Sequence, residues 1–162
     1  MIHSGKLRNM ASVYLLRDGK ILLLYRQGES IVSNLWIGSA GGKFESTELN
    51  DAKACVLREL TEELGIQENQ LDNLTLRYIT LRNADGEVRQ NYYFFANLKD
   101  SVPDILPSTE GVTQWFAPDE IVDLPMPFTA KHVLSHYFST GKSDDCLYGG
   151  LANDNGVSFL PL

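Results

Sequence analysis

The chain predicts an α+β fold, with a mixed or antiparallel β-sheet flanked by two main helices. Three observations lead there. Strand-like and helix-like segments mix without the regular βαβ alternation of a doubly wound sheet. Two Asp-Gly pairs, in "RDGK" (Arg17 to Lys20) and "ADGE" (Ala84 to Glu87), each separate two β-rich runs. Two segments, Leu49 to Leu64 and Phe128 to Phe138, carry apolar residues at helical spacing.

In chain order, Met10 to Leu16 reads as a strand, and Ile21 to Gln27 as a second, well-buried one. Glu29 to Asn34 reads as a polar loop, and "LWIGSAGGKFE" as a short strand running into a glycine-rich turn. Ser46 or Thr47 caps the first helix and Gly65 stops it. "LTLRYITLRN" and "VRQNYYFFANL" are the strands on either side of Asp85-Gly86. A short strand over Val112 to Phe116 and a helical turn over Pro118 to Val122 lead to the second helix, with Val133, Leu134 and Tyr137 among its apolar positions. The tail "LYGGLANDNGVSFLPL" reads as a hairpin around Asn155-Gly156. These elements predict one domain over residues 1–162, with 139–162 as a C-terminal hairpin appendage.

Composition narrows the function classes. Hydrophobic content of 43% and charged content of 22% are ordinary for a globular protein. No apolar run reaches the ~20 residues that span a bilayer. No apolar segment with a small-residue cleavage site opens the chain, so a cytoplasmic location is expected. Cys55 and Cys146 lie far apart and form no zinc-ligand pattern, so both read as reduced thiols. A net charge of −7 disfavours a nucleic-acid binder, which needs a basic face. It leaves room for a small phosphorylated substrate, bound through a divalent cation.

The stretch "LRELTEELGI" (Leu57 to Ile66) carries the chemistry. At ~100° per residue, Glu59, Glu62 and Glu63 share an arc of roughly 100°, beside an apolar stripe of Leu57, Leu60 and Leu64. Glu59 and Glu63 form a like-charge i,i+4 pair. Glu62 and Glu63 stand in the last turn, where the helix dipole disfavours anions. A solvated polar face is the plain reading of such a helix. Both penalties argue instead that the carboxylates are placed to meet a hard divalent cation.

"GGKFESTELNDAKACVLRELTEELGI" (Gly41 to Ile66) resembles the signature of the Nudix hydrolases. That pattern is glycine, five residues, glutamate, seven residues, then Arg-Glu-apolar-x-Glu-Glu-x-Gly-apolar. Arg58, Glu59, Leu60, Glu62, Glu63, Gly65 and Ile66 match its second half. Gly42 and Glu48 keep the first spacing, but nine residues stand between Glu48 and Arg58 instead of seven. Counted back from Arg58, the first glutamate position holds Asn50. Either the loop is longer by two or Asn50 replaces the glutamate.

The resemblance implies an α/β/α sandwich and cleavage of a pyrophosphate linkage in a nucleoside diphosphate bonded to a further group. It implies Mg²⁺, with Mn²⁺ as an alternative. Glu59, Glu62 and Glu63 would be metal ligands, and one of them would also handle the proton of the attacking water. Arg58 would brace a neighbouring glutamate; its plain alternative is a weak surface pair. Gly42 would offer a backbone carbonyl to the metal. Glu110, ahead of Glu45 and Glu87, is the candidate for a further carboxylate from a distant loop. Trp36, Asn34 and Phe128 are candidate substrate contacts, with Tyr92 and Tyr93 behind them.

The short chain resembles MutT-like triphosphate cleavers, nearest in pattern to bacterial proteins of the 8-oxo-dGTP diphosphatase type. "LPMPFT" stands where such enzymes read the oxidised purine with an asparagine. Alternatives are an ADP-ribose or nucleotide-sugar pyrophosphatase, and a non-catalytic nucleotide-sensing module. The expected partner is a small nucleotide, not a nucleic-acid polymer or a membrane, and the expected state is monomer or homodimer.

Overall fold

The computed structural model describes residues 5–27 and 34–162. The polar loop expected from Glu29 lies outside them except for Asn34. Among the described residues nine strands form one mixed sheet: β1 (Leu7–Arg17), β2 (Lys20–Arg26), β3 (Leu35–Ile37), β4 (Ala40–Lys43), β5 (Leu71–Ala84), β6 (Glu87–Leu98), β7 (Gly111–Phe116), β8 (Tyr148–Asn153) and β9 (Gly156–Pro161). The main path runs β3-β2-β1-β6-β5-β8-β9, with β4 pairing β1 and β7 pairing β2. The β1–β6 and β5–β8 pairs are parallel and the rest antiparallel.

Local chemistry explains the sharp turns. Asp18 and Gly19 have φ of 52° and 75°, and Asp85 and Gly86 have 53° and 77°. Both residues of each turn are left-handed, the conformation whose twist matches two antiparallel strands. The C-terminal hairpin turns on Asp154 and Asn155, one residue earlier than expected, and Gly156 opens β9 at φ 151°. That hairpin is no appendage: β8 pairs with β5 through Tyr78↔Tyr148 to Arg82↔Ala152, which extends the sheet.

Alternating side chains feed two cores, one on each face of the sheet. Val13, Leu15 and Leu22 join α1 (Ala52–Leu64) through Val56, Leu60 and Leu64. Tyr14, Ile21 and Leu23 join α2 (Phe128–Ser139) through Ala130, Val133, Leu134 and Tyr137. The result is the expected α/β/α sandwich. Cys55 is buried, Cys146 is half-buried, and both are free. Among the described residues no helix is long and apolar enough to cross a membrane.

The first helix starts later than the sequence suggested. Ser46–Glu48 is a 3₁₀ turn, and Asp51 caps α1 by accepting from the Ala54 amide at 3.0 Å. Ser46 and Thr47 therefore do not cap it. Gly65 ends the helix as expected, at φ 67°, and Ile66 N–H returns to the Leu60 carbonyl at 3.2 Å.

Candidate active site

The motif folds into one cluster where α1 crosses β4. Arg58 organises it. Its Nε donates to Glu48 Oε2 at 2.7 Å and its Nη2 to Glu48 Oε1 at 2.9 Å. Its Nη1 donates to Glu59 Oε1 at 2.8 Å and Glu62 Oε2 at 3.2 Å, and its Nη2 reaches the Lys43 carbonyl at 3.1 Å. Arg58 is a brace, not a weak surface pair.

Glu48 fills the first glutamate position. It is only 5% exposed, whereas Asn50 is exposed. The 3₁₀ turn takes up the extra loop length and aims Glu48 at Arg58, and the Glu45 amide also donates to Glu48 Oε1 at 2.9 Å. The Arg58 hydrogen bonds hold the Glu48 carboxyl down at about 2. Neighbouring Cys55 is pushed up to about 12, first by burial and then by the Glu48 charge, so its thiol is no nucleophile at neutral pH.

The acidic stripe is less solvated than the helical angles suggested. Glu63 is buried with Leu60 and Leu64, and the Glu59 side chain is 12% exposed, while Leu57 is only half-buried. Glu62 alone of the three is exposed. Burial raises the pKa of Glu63 well above the carboxylate range, and a carboxyl–carboxyl hydrogen bond with Glu59 adds to this. The charges of Glu59 and Glu110 raise it further, against the opposing charge of Arg26.

Gly42 has a steric role. A Cβ there would collide with the Glu59 carboxylate, so only glycine lets that carboxylate lie against β4. The Gly42 and Lys43 carbonyls face the same region, since both are within 3.8 Å of Cys55 Sγ.

Glu110, carried by the loop before β7, ion-pairs with Arg26 at 2.8 Å. The Thr109 amide donates to the Glu63 carbonyl at 3.4 Å and ties that loop to the end of α1. The two rival carboxylates are placed differently. Glu45 is 3.6 Å from Arg58, and Glu87 pairs with Arg8 and Arg89 at the start of β6. Sequence reasoning missed Arg26. The signal lies in register, because Arg26 pairs with Gly111, next to Glu110.

The donor set suits a hard divalent cation: carboxylate oxygens on one helix, carbonyls on the adjoining strand, and a cradle that a Cβ would fill. Arg58 draws Glu59 and Glu62 to itself, so among the described residues no three such groups are already gathered in ligating geometry.

The structure brings Asn34 and Trp36 together around Tyr25. The Trp36 ring lies 5.1 Å from Tyr25 and 4.8 Å from Phe116, and Tyr25 Oη donates to Asn34 Oδ1 at 3.5 Å. Phe128 instead packs on His132 and lies under the Arg82 guanidinium at 5.0 Å. Tyr92 packs on Phe44, and Tyr93 is buried against Tyr14. A cavity of about 550 Å³ runs along α2 between Ile121, Val122, Leu134 and Phe138, and none of the motif carboxylates lines it. The carboxylate cluster is the better guide to the chemistry, because reaction needs charge and ligands rather than apolar volume.

An α/β/α sandwich whose glutamate-bearing helix packs on a glycine strand defines a nucleotide pyrophosphohydrolase of the Nudix type. The sequence profile of the NUDIX domain matches residues 6–137, and the chain belongs to the Nudix hydrolase family. Members cleave the pyrophosphate bond of nucleoside diphosphates linked to a further group. The uncharacterized Nudix hydrolase YvcI of Bacillus subtilis is 30% identical over 132 residues, covering 79% of this chain and 77% of that protein. The CTP pyrophosphohydrolase of Escherichia coli is 42% identical over 62 residues, covering 38% of this chain and 44% of that protein. The MutT NUDIX hydrolase of Burkholderia pseudomallei superposes with a TM-score of 0.64 at 26% identity, covering 80% of this chain and 97% of that structure.

Proposed function

We propose that the chain hydrolyses a nucleoside triphosphate to the monophosphate and pyrophosphate, with Mg²⁺ or Mn²⁺, and that an oxidised purine nucleotide such as 8-oxo-dGTP is its substrate. The observation that carries the hydrolytic part is the Arg58 cluster, which gathers Glu48, Glu59 and Glu62 on one face of α1. A bound cation would neutralise phosphate charge and lower the pKa of a water. Glu59, Glu62, Glu63 and the Gly42 carbonyl would hold it, with Glu110 as a further carboxylate.

In the reaction a water oxygen bonds to phosphorus as the P–O–P bridge breaks, and the bridging oxygen leaves with the pyrophosphate. The water proton passes to a carboxylate, Glu62 or Glu63, and then to solvent. Arg58 keeps Glu59 and Glu62 oriented and takes no part in the bond changes. The name of the Escherichia coli relative favours a triphosphate, and the MutT-like fold agrees with that class. Trp36 and Asn34 offer an aromatic platform with an amide beside it, which suits a base.

Hydrolysis of 8-oxo-dGTP, dGTP, CTP, ADP-ribose, NADH and a dinucleoside polyphosphate, each with Mg²⁺ and Mn²⁺, tests the reading. 8-oxo-dGTP should give the highest kcat/KM, and Glu62→Gln or Glu63→Gln should lower turnover roughly 100-fold or more. ADP-ribose ahead of every triphosphate would overturn the substrate assignment. Near-normal turnover in both variants would overturn the site.

A further inference from the structure

The C-terminal hairpin presents a surface that catalysis does not use. Among the described residues β9 is the last strand of the sheet, and none of them places a strand along its outer edge. The Leu162 amide donates to the Leu147 carbonyl at 2.8 Å, and Leu151 pairs with Ser158 in the same register. Antiparallel pairing alternates, so residues 156, 158, 160 and 162 bond inward to β8. The amides of Val157 and Phe159, and the carbonyls of 157, 159 and 161, therefore point outward.

The side chains match that open edge. Leu151 is 66% exposed, Leu160 67% and Leu162 73%. Leu81 pairs with Leu151, and Ile79 aligns with Gly149 and then Leu160, so these leucines share one face of the sheet. From Cys146 to Leu162 the only charged residue is Asp154, and Arg82 pairs with it at 3.2 Å. Of the devices that block edge pairing, β9 lacks a lysine, a bulge and an inward charge, and carries a single proline at its far end. Pro161 removes one donor at its end.

We propose that β9 is the interface strand of a two-fold homodimer, pairing antiparallel with β9 of a second copy to continue the sheet. The partner must supply a strand, because only extended backbone satisfies the outward amides in register. A second copy meets every outward amide and leaves only the two Val157 carbonyls, opposite Pro161, to solvent. With the axis at Phe159, each Phe159 exchanges both hydrogen bonds with its counterpart, and each Val157 amide meets a Pro161 carbonyl. The missing Pro161 donor falls at the two ends. The two-fold axis stands perpendicular to the sheet, so the leucine patches of both copies adjoin on one face. Charge points the same way. Two chains of net charge −7 repel, and this uncharged segment is where they meet with least opposition.

Sedimentation of the full chain between about 1 and 100 µM, with hydrogen exchange at matched concentrations, tests this. The expected result is a mass of two chains, slowed exchange at the Val157 and Phe159 amides, and loss of both in Leu160→Lys. Leu151→Lys, on the neighbouring strand, should also dissociate the dimer. Both replace exposed side chains, so a folded monomer by circular dichroism is expected. Val122→Lys, in the α2 groove, should leave the dimer intact. A monomer at every concentration overturns the proposal. So does a dimer broken by Val122→Lys but not by Leu160→Lys, or a dimer whose Val157 and Phe159 amides exchange freely.

Discussion

Arg58 touches four glutamates, Glu45, Glu48, Glu59 and Glu62, and their replacements test different things. Glu48 is a structural partner. Glu48→Gln leaves part of the guanidinium without its carboxylate and should cost about 1–3 kcal/mol. Because the folded-state pKa of Glu48 is depressed to about 2, the pair stabilises the fold above the ordinary carboxylate range and loses that contribution as pH falls toward 2. The stability gap between wild type and Glu48→Gln, measured by denaturation at neutral pH and at steps down to about 3, should therefore shrink with acid. A gap that stays constant would detach the pair from stability. Gly42→Ala works on the site instead. Its φ is not left-handed, so alanine fits the backbone, but the new Cβ displaces the Glu59 carboxylate. Metal-dependent kcat/KM should fall roughly 100-fold with the circular dichroism spectrum unchanged, and an active Gly42→Ala enzyme would refute the cradle. Spacing alone could not choose between Glu48 and Asn50, because an insertion and a substitution leave the same string. The choice needed the three-dimensional path of the 3₁₀ turn.

At the scale of elements, the start of α1 separates what the chain makes legible from what it does not. Serine and threonine are strong capping residues, and Ser46-Thr47 stands before the helix. Asp51 is also a capping residue and lies closer to the apolar positions, and its carboxylate meets the Ala54 amide. Local preference names several candidates, and the loop geometry set by Glu48 and Arg58 decides among them. Asp51→Ala should cost about 1 kcal/mol in urea denaturation, with Ser46→Ala and Thr47→Ala near zero; the reverse ranking would restore the earlier cap. Features governed by neighbouring residues were legible: both Asp-Gly turns, the Gly65 stop and the extent of α2. Features governed by distant pairing were not. The parallel β5–β8 contact joins residues some 70 positions apart, and the Arg26–Glu110 pair joins residues 84 apart. A hairpin signal in the tail says nothing of which strand it will extend.

For the whole molecule, the same acidity has two consequences that a melting experiment can separate. A chain of net charge −7 is destabilised by self-repulsion, which any salt screens. Clustered carboxylates at the end of α1 add a specific effect, because an ion that binds only the folded state stabilises it by mass action. At about 100 times its Kd, Mg²⁺ should contribute about 2.7 kcal/mol, which raises Tm by roughly 5–11 °C for a domain of this size. NaCl at matched ionic strength reports the screening part alone and should give a smaller rise. Glu59→Gln/Glu62→Gln/Glu63→Gln relieves repulsion but also removes two Arg58 ion pairs, so its baseline Tm carries both effects. Its further rise with Mg²⁺ should then shrink to the NaCl value. The difference between the two salts, not the absolute Tm, is the readout. Equal rises in wild type, or an undiminished Mg²⁺ response in the triple variant, would remove the metal from the α1 cluster and leave Glu59 and Glu62 explained by Arg58 alone.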